Sequence, residues 1–333
     1  MTRGALALCD AALRLRDPAA LETFSPVGAE PLLAVEVGAA TGAEDAVLAA
    51  ALARLPAPSV ALLRDRDAPA ARRCAALFDL VVSSDDELAC VDAAVRATPI
   101  AAAALVQLLR HGDARTIEAG LVAESLAYAT LQAGPEFRAW LAARPAPPPR
   151  TEAGAPLRVR REGALLQLRL GRPDKRNAYS AALRDALVEA LQLAVSDEEI
   201  ERILIDGEGA AFCAGGDLDE FGTLPDPATA HAIRTTRSAA RLLAQLAERT
   251  EVRLHGACVG AGIELAAFAG RIVAREDAWF ALPERAMGLV PGAGGTVSLP
   301  RRIGRQRTAW LALTGARIDA ATALAWGLVD AIG

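Results

Sequence analysis

The chain of 333 residues carries a formal net charge of −5, and 53% of its residues are hydrophobic but only 4% aromatic, so its core must consist mainly of Ala, Leu and Val. This length suffices for two domains, and no apolar run approaches the roughly 18–20 residues of a membrane span. The slightly acidic balance gives no reason to expect nucleic acid as a partner. Five scattered cysteines without a CxxC pair favour a reducing cytoplasm and argue against disulfides and a metal site.

Residues 1–143 predict an α/β unit that is followed by helices. From 85 to 144, apolar residues recur at spacings of three and four, which is typical of helices. The stretch RPAPPPRTEAGAP at 144–156 is rich in proline and small residues, so it predicts a semi-rigid linker to a second part at 157–333. The elements expected before the helical region are strands at 31–37, 58–65 and 78–82 and a helix at 43–55.

The second part predicts alternating strands and helices. LRVRREGALLQLRLG, from 157 to 171, indicates a β-hairpin, and an amphipathic helix is expected at 180–195 with Ser180 as its N-cap. ERILIDGEG is a strand pattern that ends in glycine. Such alternation favours an α/β domain, in which ligands bind where strands end.

Three glycine-rich segments follow these strands: AGGD (214–217), GACVGAGIELAAFAG (256–270) and GLVPGAGGT (288–296). Glycine allows a ligand to approach the main chain closely and leaves N–H groups free to donate to a phosphate, a nucleotide or a carbonyl oxygen. The segments lack the Lys-Ser/Thr pair of a P-loop and the GxGxxG order of a dinucleotide fold.

Two glutamates, Glu264 and Glu284, lie within or close to these glycine-rich segments. Paired N–H groups can form an oxyanion hole, and a glutamate pair can move protons to and from carbon. From the residues alone this remains one reading, because a glutamate in the first turn of a helix more often compensates the helix dipole.

Five segments from about Leu157 onward stand out together: PDKRNAYS, GAAFCAGGDLDEF, HGACVGAGIELAAFAGRIVA, WFALPERAMGLVPGAGGTVSLPRRIG and LTGARIDAATALAWGLVDAI. In these segments and their order the chain resembles the enoyl-CoA hydratase/isomerase (crotonase) family. The resemblance implies an α/β fold with a crotonase-type ββα spiral core over residues ~157–333. It also implies an acyl-CoA enzyme that works as a homotrimer or hexamer, with no metal and no bound cofactor, since coenzyme A enters as part of the thioester substrate. No nucleic-acid or membrane partner is expected.

The resemblance assigns roles to individual residues. It places the oxyanion-hole N–H groups on Gly216 and Ala261 and the proton-transfer carboxylates on Glu264 and Glu284. Retention of both glutamates favours hydration of a 2-enoyl-CoA to a 3-hydroxyacyl-CoA. The alternatives are an isomerase, decarboxylase or hydrolase of a specialised pathway, and a non-catalytic acyl-CoA-binding or partner subunit. The residues expected to contact coenzyme A are Lys175, Arg176, Ala178, Ala214, Asp217 and Leu218.

The chain departs from the family pattern in two ways. Asp219 stands where hydratases often carry a lysine, and only Gly333 follows the phrase GLVDAI, where the family continues into C-terminal helices. Residues 78–145 resemble those helices. The hypothesis is therefore that residues 1–143 are an eroded crotonase-like repeat whose helices dock in place of the tail, in the same chain or in a neighbour. An unrelated helical domain is the alternative; on the tail hypothesis, Arg110 or Arg115 would approach the coenzyme A.

Overall fold

The computed structural model describes residues 4–38, 45–65, 67–112, 114–145, 154–223 and 226–333. Most of the predicted linker at 144–156 lies outside these residues. The predicted helix at 43–55 is found as Asp45–Arg54, and its first predicted positions also lie outside the described part.

Within the described ranges, the first part contains a parallel sheet of four short strands that lie side by side in chain order. All four residues of its third strand are buried, because helices and the second part of the chain cover both of its faces. The three strands predicted from the sequence are β2, β3 and β4. The strands are β1 (Leu6–Ala7), β2 (Leu33–Glu36), β3 (Ser59–Leu62) and β4 (Leu80–Val82).

Eight helices lie among the described residues of the first part, and the last four form the region predicted as helical. Ser84 caps α5 by accepting from the Glu87 N–H, and Thr116 caps α7 by accepting from the Ala119 N–H. Pro99 occupies the first turn of α6, where its missing N–H costs no hydrogen bond. The helices are α1 (Leu8–Leu15), α2 (Ala20–Thr23), α3 (Asp45–Arg54), α4 (Pro69–Ala75), α5 (Asp85–Ala97), α6 (Pro99–Arg110), α7 (Ile117–Gln132) and α8 (Pro135–Ala142).

The second part is built on a six-stranded sheet in the order β13-β10-β8-β7-β6-β5, in which only β5 runs antiparallel to its neighbour. A smaller sheet, β12-β11-β9, stands beside it. The hairpin predicted at 157–171 is confirmed as β5 and β6, paired from Leu157↔Leu170 to Glu162↔Leu165. The strands are β5 (Leu157–Glu162), β6 (Leu165–Leu170), β7 (Arg202–Gly207), β8 (Thr250–Leu254), β9 (Ala257–Val259), β10 (Arg271–Ala274), β11 (Trp279–Ala281), β12 (Ile318–Asp319) and β13 (Ala331–Ile332).

Helices fill the connections between these strands. The predicted helix at 180–195 is confirmed one residue later, and Ser180 accepts from the Leu183 N–H as its N-cap. The helices are α9 (Ala181–Ser196), α10 (Pro227–Thr236), α11 (Ala239–Gln245), α12 (Ala261–Ala266), α13 (Gly295–Ile303), α14 (Arg305–Thr314) and α15 (Ala320–Trp326). Short 3-10 turns lie at Pro173–Lys175, Leu218–Glu220, Ala247–Arg249 and Glu284–Met287.

The two parts share one hydrophobic core. Its largest cluster includes Leu105 and Phe137 from the first part together with strand and helix residues of the second part, and a smaller cluster lies around the first sheet. Helix α7 packs against α10 and α13, and α5 and α6 pack against α14. The N-terminal helices therefore dock on the second part of the same chain; their descent from a family tail stays a hypothesis.

No single helix within the described ranges is long and apolar enough to cross a membrane. Helices α5 and α6 would satisfy that test only as a pair, and the pair is bent by 109°.

Of the two arginines expected near coenzyme A, Arg110 is not available to it, whereas the approach of Arg115 stays a prediction. The Arg110 guanidinium donates to Asp79 and to the carbonyls of Leu55 and Ala57, and the side chains of Arg110 and Asp79 are almost fully buried. Asp79 also accepts from Arg305 of α14. The pair of Arg305 with Asp79 thus joins the first sheet to the second part. Asp79 is tolerated as a buried charge because both arginines pair with it.

The shared core predicts that damage to an N-terminal helix destabilises the whole chain. Leu105 is 1% exposed, so Leu105→Ala should lower the free energy of unfolding by about 2–5 kcal/mol. Denaturant unfolding followed by both circular dichroism and tryptophan fluorescence should show one shifted transition. Leu126→Ala, at a position 52% exposed, should change stability by only about 0.5 kcal/mol. Two separate transitions in the Leu105→Ala variant would contradict a common core.

Candidate active site

A cavity of about 660 Å³ lies between the two parts of the chain. Its wall includes Gly216, Ala261, Glu264 and Glu284, the four residues that the sequence predicts as catalytic, together with residues of α7 and α8. The structure therefore brings the predicted catalytic set into one space. The N-terminal helices complete the wall of that space.

The segments that carry Gly216 and Ala261 are held side by side by main-chain hydrogen bonds, in an isolated parallel β-bridge at Cys213 and Cys258. The Cys213 N–H donates to the Ala257 carbonyl over 3.1 Å, and the Val259 N–H donates to the Cys213 carbonyl over 3.0 Å. Both cysteines are buried and act here as small apolar residues.

The N–H groups of Gly216 and Ala261 are among the main-chain donors of these segments that have no acceptor in the described part of the chain. Gly216 lies beside Tyr179 in an isolated parallel bridge whose hydrogen bonds are made by its neighbours, including Asp217. Ala261 is the first residue of α12, where an N–H has no partner inside the helix. Both donors are thus available to a ligand oxygen in the cavity.

Gly260 makes the turn that directs the Ala261 N–H toward the cavity. Its φ of 49° and ψ of −122° fall in a region that residues with a Cβ avoid. A Cβ at this position would also overlap Oε1 of Glu284. Glycine is therefore required both by the backbone conformation and by the close approach of the carboxylate.

Glu264 is held in place by two main-chain donors. It lies in α12 and is only 1% exposed, and its Oε2 accepts from the N–H groups of Ala293 over 2.7 Å and Gly295 over 2.9 Å. Burial, and then the nearby charges of Glu284 and Glu124, raise the pKa of Glu264 well above its usual value, although the two N–H donors oppose this shift.

Glu284 begins the 3-10 turn that follows Pro283 and is 8% exposed. Its Oε2 is the one buried side-chain polar atom, among the described residues, that lacks a hydrogen-bond partner. Burial raises the pKa of Glu284 to about 7. One carboxylate of the pair is thus anchored, while the other keeps an oxygen free for a water or a substrate.

Comparisons with known proteins agree with this geometry. Residues 160–333 match the family model described as enoyl-CoA hydratase/isomerase. The chain belongs to this family. The predicted family and enzyme class are therefore confirmed, and the fold is the crotonase fold.

Relatives of the family differ in the reactions for which they are named. The chain is 38% identical to the 2,3-dehydroadipyl-CoA hydratase of Escherichia coli over 175 residues, which are 52% of this chain and 67% of the relative. It is 33% identical to the 1,2-epoxyphenylacetyl-CoA isomerase of the same organism, over 50% of this chain and 66% of the relative. The chain thus spans about two thirds of the length of these relatives.

Solved structures of the family have the same core. An enoyl-CoA hydratase from Bacillus anthracis matches with a TM-score of 0.50 and 30% identity, over 54% of this chain and 70% of that chain. A putative enoyl-CoA hydratase/isomerase from Mycobacterium abscessus matches with a TM-score of 0.50 and 31% identity, over 53% and 70%.

A third buried glutamate, Glu124 of α7, was missed by the sequence analysis. It is 2% exposed. Its Oε1 accepts from the Gly294 N–H over 2.7 Å, and its Oε2 accepts from the N–H and hydroxyl of Thr296 over 2.8 and 2.7 Å. Burial raises the pKa of Glu124 to about 7. The available signal was an acid one helical turn after Gly120, in the middle of a mostly apolar helix.

The three glutamates meet at one loop. The four successive N–H groups of residues 293–296 donate alternately to Glu264 and Glu124, in the order Glu264, Glu124, Glu264, Glu124. Because both carboxylates accept hydrogen bonds from the same short segment, a displacement of Glu124 would be transmitted to Glu264. The N-terminal helix α7 is in this way mechanically connected to the predicted catalytic pair.

The residues predicted to contact coenzyme A fall into two groups. Ala214 and Leu218 line the cavity, whereas Lys175, Arg176, Ala178 and Asp217 are absent from its wall. These four lie on adjoining loops: the Ala214 N–H donates to the Arg176 carbonyl, and Arg172, which the sequence analysis missed, donates to the Ala178 carbonyl and to Asp217. Their contact with coenzyme A stays a prediction.

Lys175 is paired within the protein. Its amine lies 2.8 Å from Asp219, the residue that replaces the frequent lysine of the family. Asp219 therefore neutralises the charge that was predicted to meet a phosphate of coenzyme A, and a phosphate would have to compete with that carboxylate.

The raised carboxyl pKa values predict an unusual pH dependence of stability. Since the pKa of Glu284 is about 7 in the folded chain and near 4.5 when exposed, the folded state binds more protons between these values, and its stability falls as pH rises through this window. The loss attributable to Glu284 should be on the order of 3 kcal/mol. Urea unfolding at pH 5 and pH 8 should therefore show Glu284→Gln close to wild type at pH 5 and more stable at pH 8. Equal pH slopes for the two proteins would contradict the shifted pKa.

Proposed function

We propose that the chain hydrates a 2-enoyl-CoA to a 3-hydroxyacyl-CoA. The observation that carries this proposal is the arrangement of an anchored carboxylate, Glu264, and a carboxylate with a free buried oxygen, Glu284, in one cavity with two unpaired N–H donors. Hydration needs a group that orients water, a group that exchanges a proton and a site for developing negative charge. This set of residues supplies all three.

The N–H groups of Gly216 and Ala261 are proposed to bind the thioester oxygen. Donation to that oxygen draws electron density from the conjugated double bond, which makes the β-carbon more electrophilic and stabilises the enolate that forms when water adds. One such donor contributes roughly 10²–10³ in rate in other enzymes. Because both donors belong to the main chain, their position depends on the main-chain β-bridge at Cys213 and Cys258 and on the turn at Gly260.

The two glutamates are proposed to share the proton transfers. An ionised carboxylate of the pair accepts a proton from water as the water oxygen bonds to the β-carbon, and a protonated one gives its proton to the α-carbon. The pair then holds as many protons as before, and the elements of water have been added. A pKa of Glu284 near 7 suits both halves of this exchange at neutral pH, and two buried carboxylates this close do not readily ionise together.

Glu124 is proposed as a positioning residue. It contacts the loop at 293–296 and not the reacting atoms, and its three hydrogen bonds hold the main chain to which Glu264 is anchored. Its negative charge also raises the pKa of Glu264 and Glu284. Both effects tie the N-terminal helix to the proton-transfer step.

Isomerisation of an enoyl-CoA is the second candidate function. It is favoured by the free Oε2 of Glu284, which could carry a proton from one carbon of the acyl chain to another without any water. The similarity to the E. coli isomerase also supports it. Assembly as a homotrimer or hexamer and a cytoplasmic location remain proposals that rest on the family resemblance and on the cysteine pattern.

The hydration reaction can be followed by the loss of the conjugated thioester absorbance of crotonyl-CoA. Wild type should remove the absorbance, and Glu264→Gln and Glu284→Gln should each lower kcat by roughly 10²–10⁴ because each removes a proton-transfer group. The product should be identified by mass, since hydration adds 18 mass units and isomerisation adds none. Glu136→Gln serves as a control in a carboxylate outside this site. Unchanged activity in both active-site variants would refute the proposed mechanism.

The role of Glu124 can be separated from a purely structural one by a pH profile. Glu124→Gln should lower kcat by roughly 10- to 100-fold, as expected for a small misplacement of Glu264, with little effect on KM. It should also move the kcat–pH limb governed by Glu264 and Glu284 to lower pH, because the charge that raises their pKa is lost.

The matched control for this variant is again Glu136→Gln. Glu136 likewise comes from an N-terminal helix and accepts from two main-chain N–H groups, those of Ile100 and Ala101. This variant should leave the pH limb in place. An identical pH profile for Glu124→Gln and wild type would limit Glu124 to a packing role.

A further inference from the structure

Four arginines line the cavity among the residues that the structure describes, and three of them have a carboxylate partner. Arg184 and Arg237 both pair with Asp185. The other two are Arg241, which lies 3.7 Å from Glu118, and Arg234, which has no carboxylate within 4.0 Å in the described part of the chain. Arg234 is thus the cavity arginine whose charge is not paired directly.

Arg234 is held in one orientation by helix α7. Its Nε donates to the Ser125 hydroxyl over 3.1 Å, and its two terminal nitrogens donate to the Gln132 side-chain oxygen and the Ser125 carbonyl, each over 3.2 Å. The guanidinium also stacks on Tyr128, 4.7 Å from the ring centroid. Since arginine has five N–H groups, one N–H on each terminal nitrogen is left for a ligand.

The surroundings of Arg234 compensate its charge only in part, through the ring of Tyr128 and the charge of Glu124. Burial lowers its pKa, which is the sign of a cation that has lost water without gaining a full partner. Glu124 is near enough to attract the cation, but its oxygens are occupied by Gly294 and Thr296. A partly buried charge of this kind gains most from an anion that brings its own acceptors.

The rest of the cavity wall near the helices of the first part is largely apolar. The rings of Phe137, Trp140 and Phe221 contact one another with centroids 5.7–6.3 Å apart. Tyr128, beneath Arg234, packs against Gly292, which immediately precedes the loop that holds Glu264. An acyl chain that reaches from the paired glutamates could therefore lie on apolar surface and end at the guanidinium.

We propose that Arg234 binds a carboxylate at the far end of the acyl group, so that the substrates of this site are acyl-CoA thioesters of dicarboxylic acids. This inference rests on the proposed function in taking the cavity as the acyl-binding site. The two remaining N–H groups can donate to the two oxygens of the carboxylate. A methyl group at the same place would leave the partly buried cation without a carboxylate partner, and this difference gives the site its selectivity.

The test uses the full chain and two saturated thioesters, hexanoyl-CoA and adipyl-CoA, which have the same chain length and differ in the terminal group. Neither can be hydrated, so calorimetry measures binding alone. Wild type should bind adipyl-CoA roughly 10- to 100-fold more tightly, as expected for a charge-assisted hydrogen-bonded pair. Equal affinities, or a preference for hexanoyl-CoA, would overturn the proposal without the need for any variant.

Variants then locate the preference. Arg234→Met should abolish the difference between the two ligands, and Arg234→Lys should keep part of it because the charge remains. Arg237→Met is the matched control, since that arginine is already paired with Asp185 and Glu189, and it should keep the wild-type preference. A preference that survives in Arg234→Met, with cooperative unfolding intact, would assign the carboxylate to another group and refute the proposal.

Failure of this inference can be distinguished from failure of the proposed hydration. Loss of absorbance from 2-hexenoyl-CoA without any preference for adipyl-CoA would refute the carboxylate subsite and leave the hydratase in place. Tight binding of adipyl-CoA without turnover of the corresponding 2-enoyl thioesters would support the subsite and refute hydration.

Discussion

The interaction on which the site depends most is the set of hydrogen bonds from the main-chain N–H groups of the loop at 293–296, which alternate between two carboxylates. Glu264 comes from the crotonase core and Glu124 from a helix 140 positions earlier, yet they bind successive N–H groups of the same four residues. A single loop displacement would therefore alter both carboxylates. The precision of the proposed proton transfers is set by main-chain hydrogen bonds and not by side-chain packing alone.

This arrangement has a thermodynamic cost. Glu124, Glu264 and Glu284 are all buried, and burial raises the pKa of each. The N–H donors of the loop favour the charged forms and oppose this effect, but Glu284 has an oxygen without any donor among the described residues. Groups that exist mainly for stability are normally satisfied. An unsatisfied carboxylate beside two satisfied ones supports the proposal that Glu284 takes part in the proton transfers.

The sequence allowed the local features of the site to be predicted, since Gly216, Ala261, Glu264 and Glu284 lie in short motifs whose conformation depends mostly on neighbouring residues. Glu124 could not be found in this way, because its role arises from contacts with residues 170 and 172 positions away. The expectation for Arg110 failed for a similar reason. The resemblance concerned the helix alone and could not reveal that Arg110 pairs with Asp79, 31 positions away. Long-range contacts of charged side chains therefore could not be predicted from the sequence.

The contact between α7 and α13 explains how helices from the beginning of the chain can complete a site near its end. Gly120 lies against Val297, where an added Cβ would stand 2.9 Å from a methyl carbon, so the absence of a side chain permits the close approach of the two helices. Glu124 follows one turn later on the same face and thereby reaches the loop at the start of α13. What this geometry requires is a small residue and an acid four positions apart on a docked helix. The place of that helix in the chain is immaterial, because packing and hydrogen bonding depend on contact and not on sequence order.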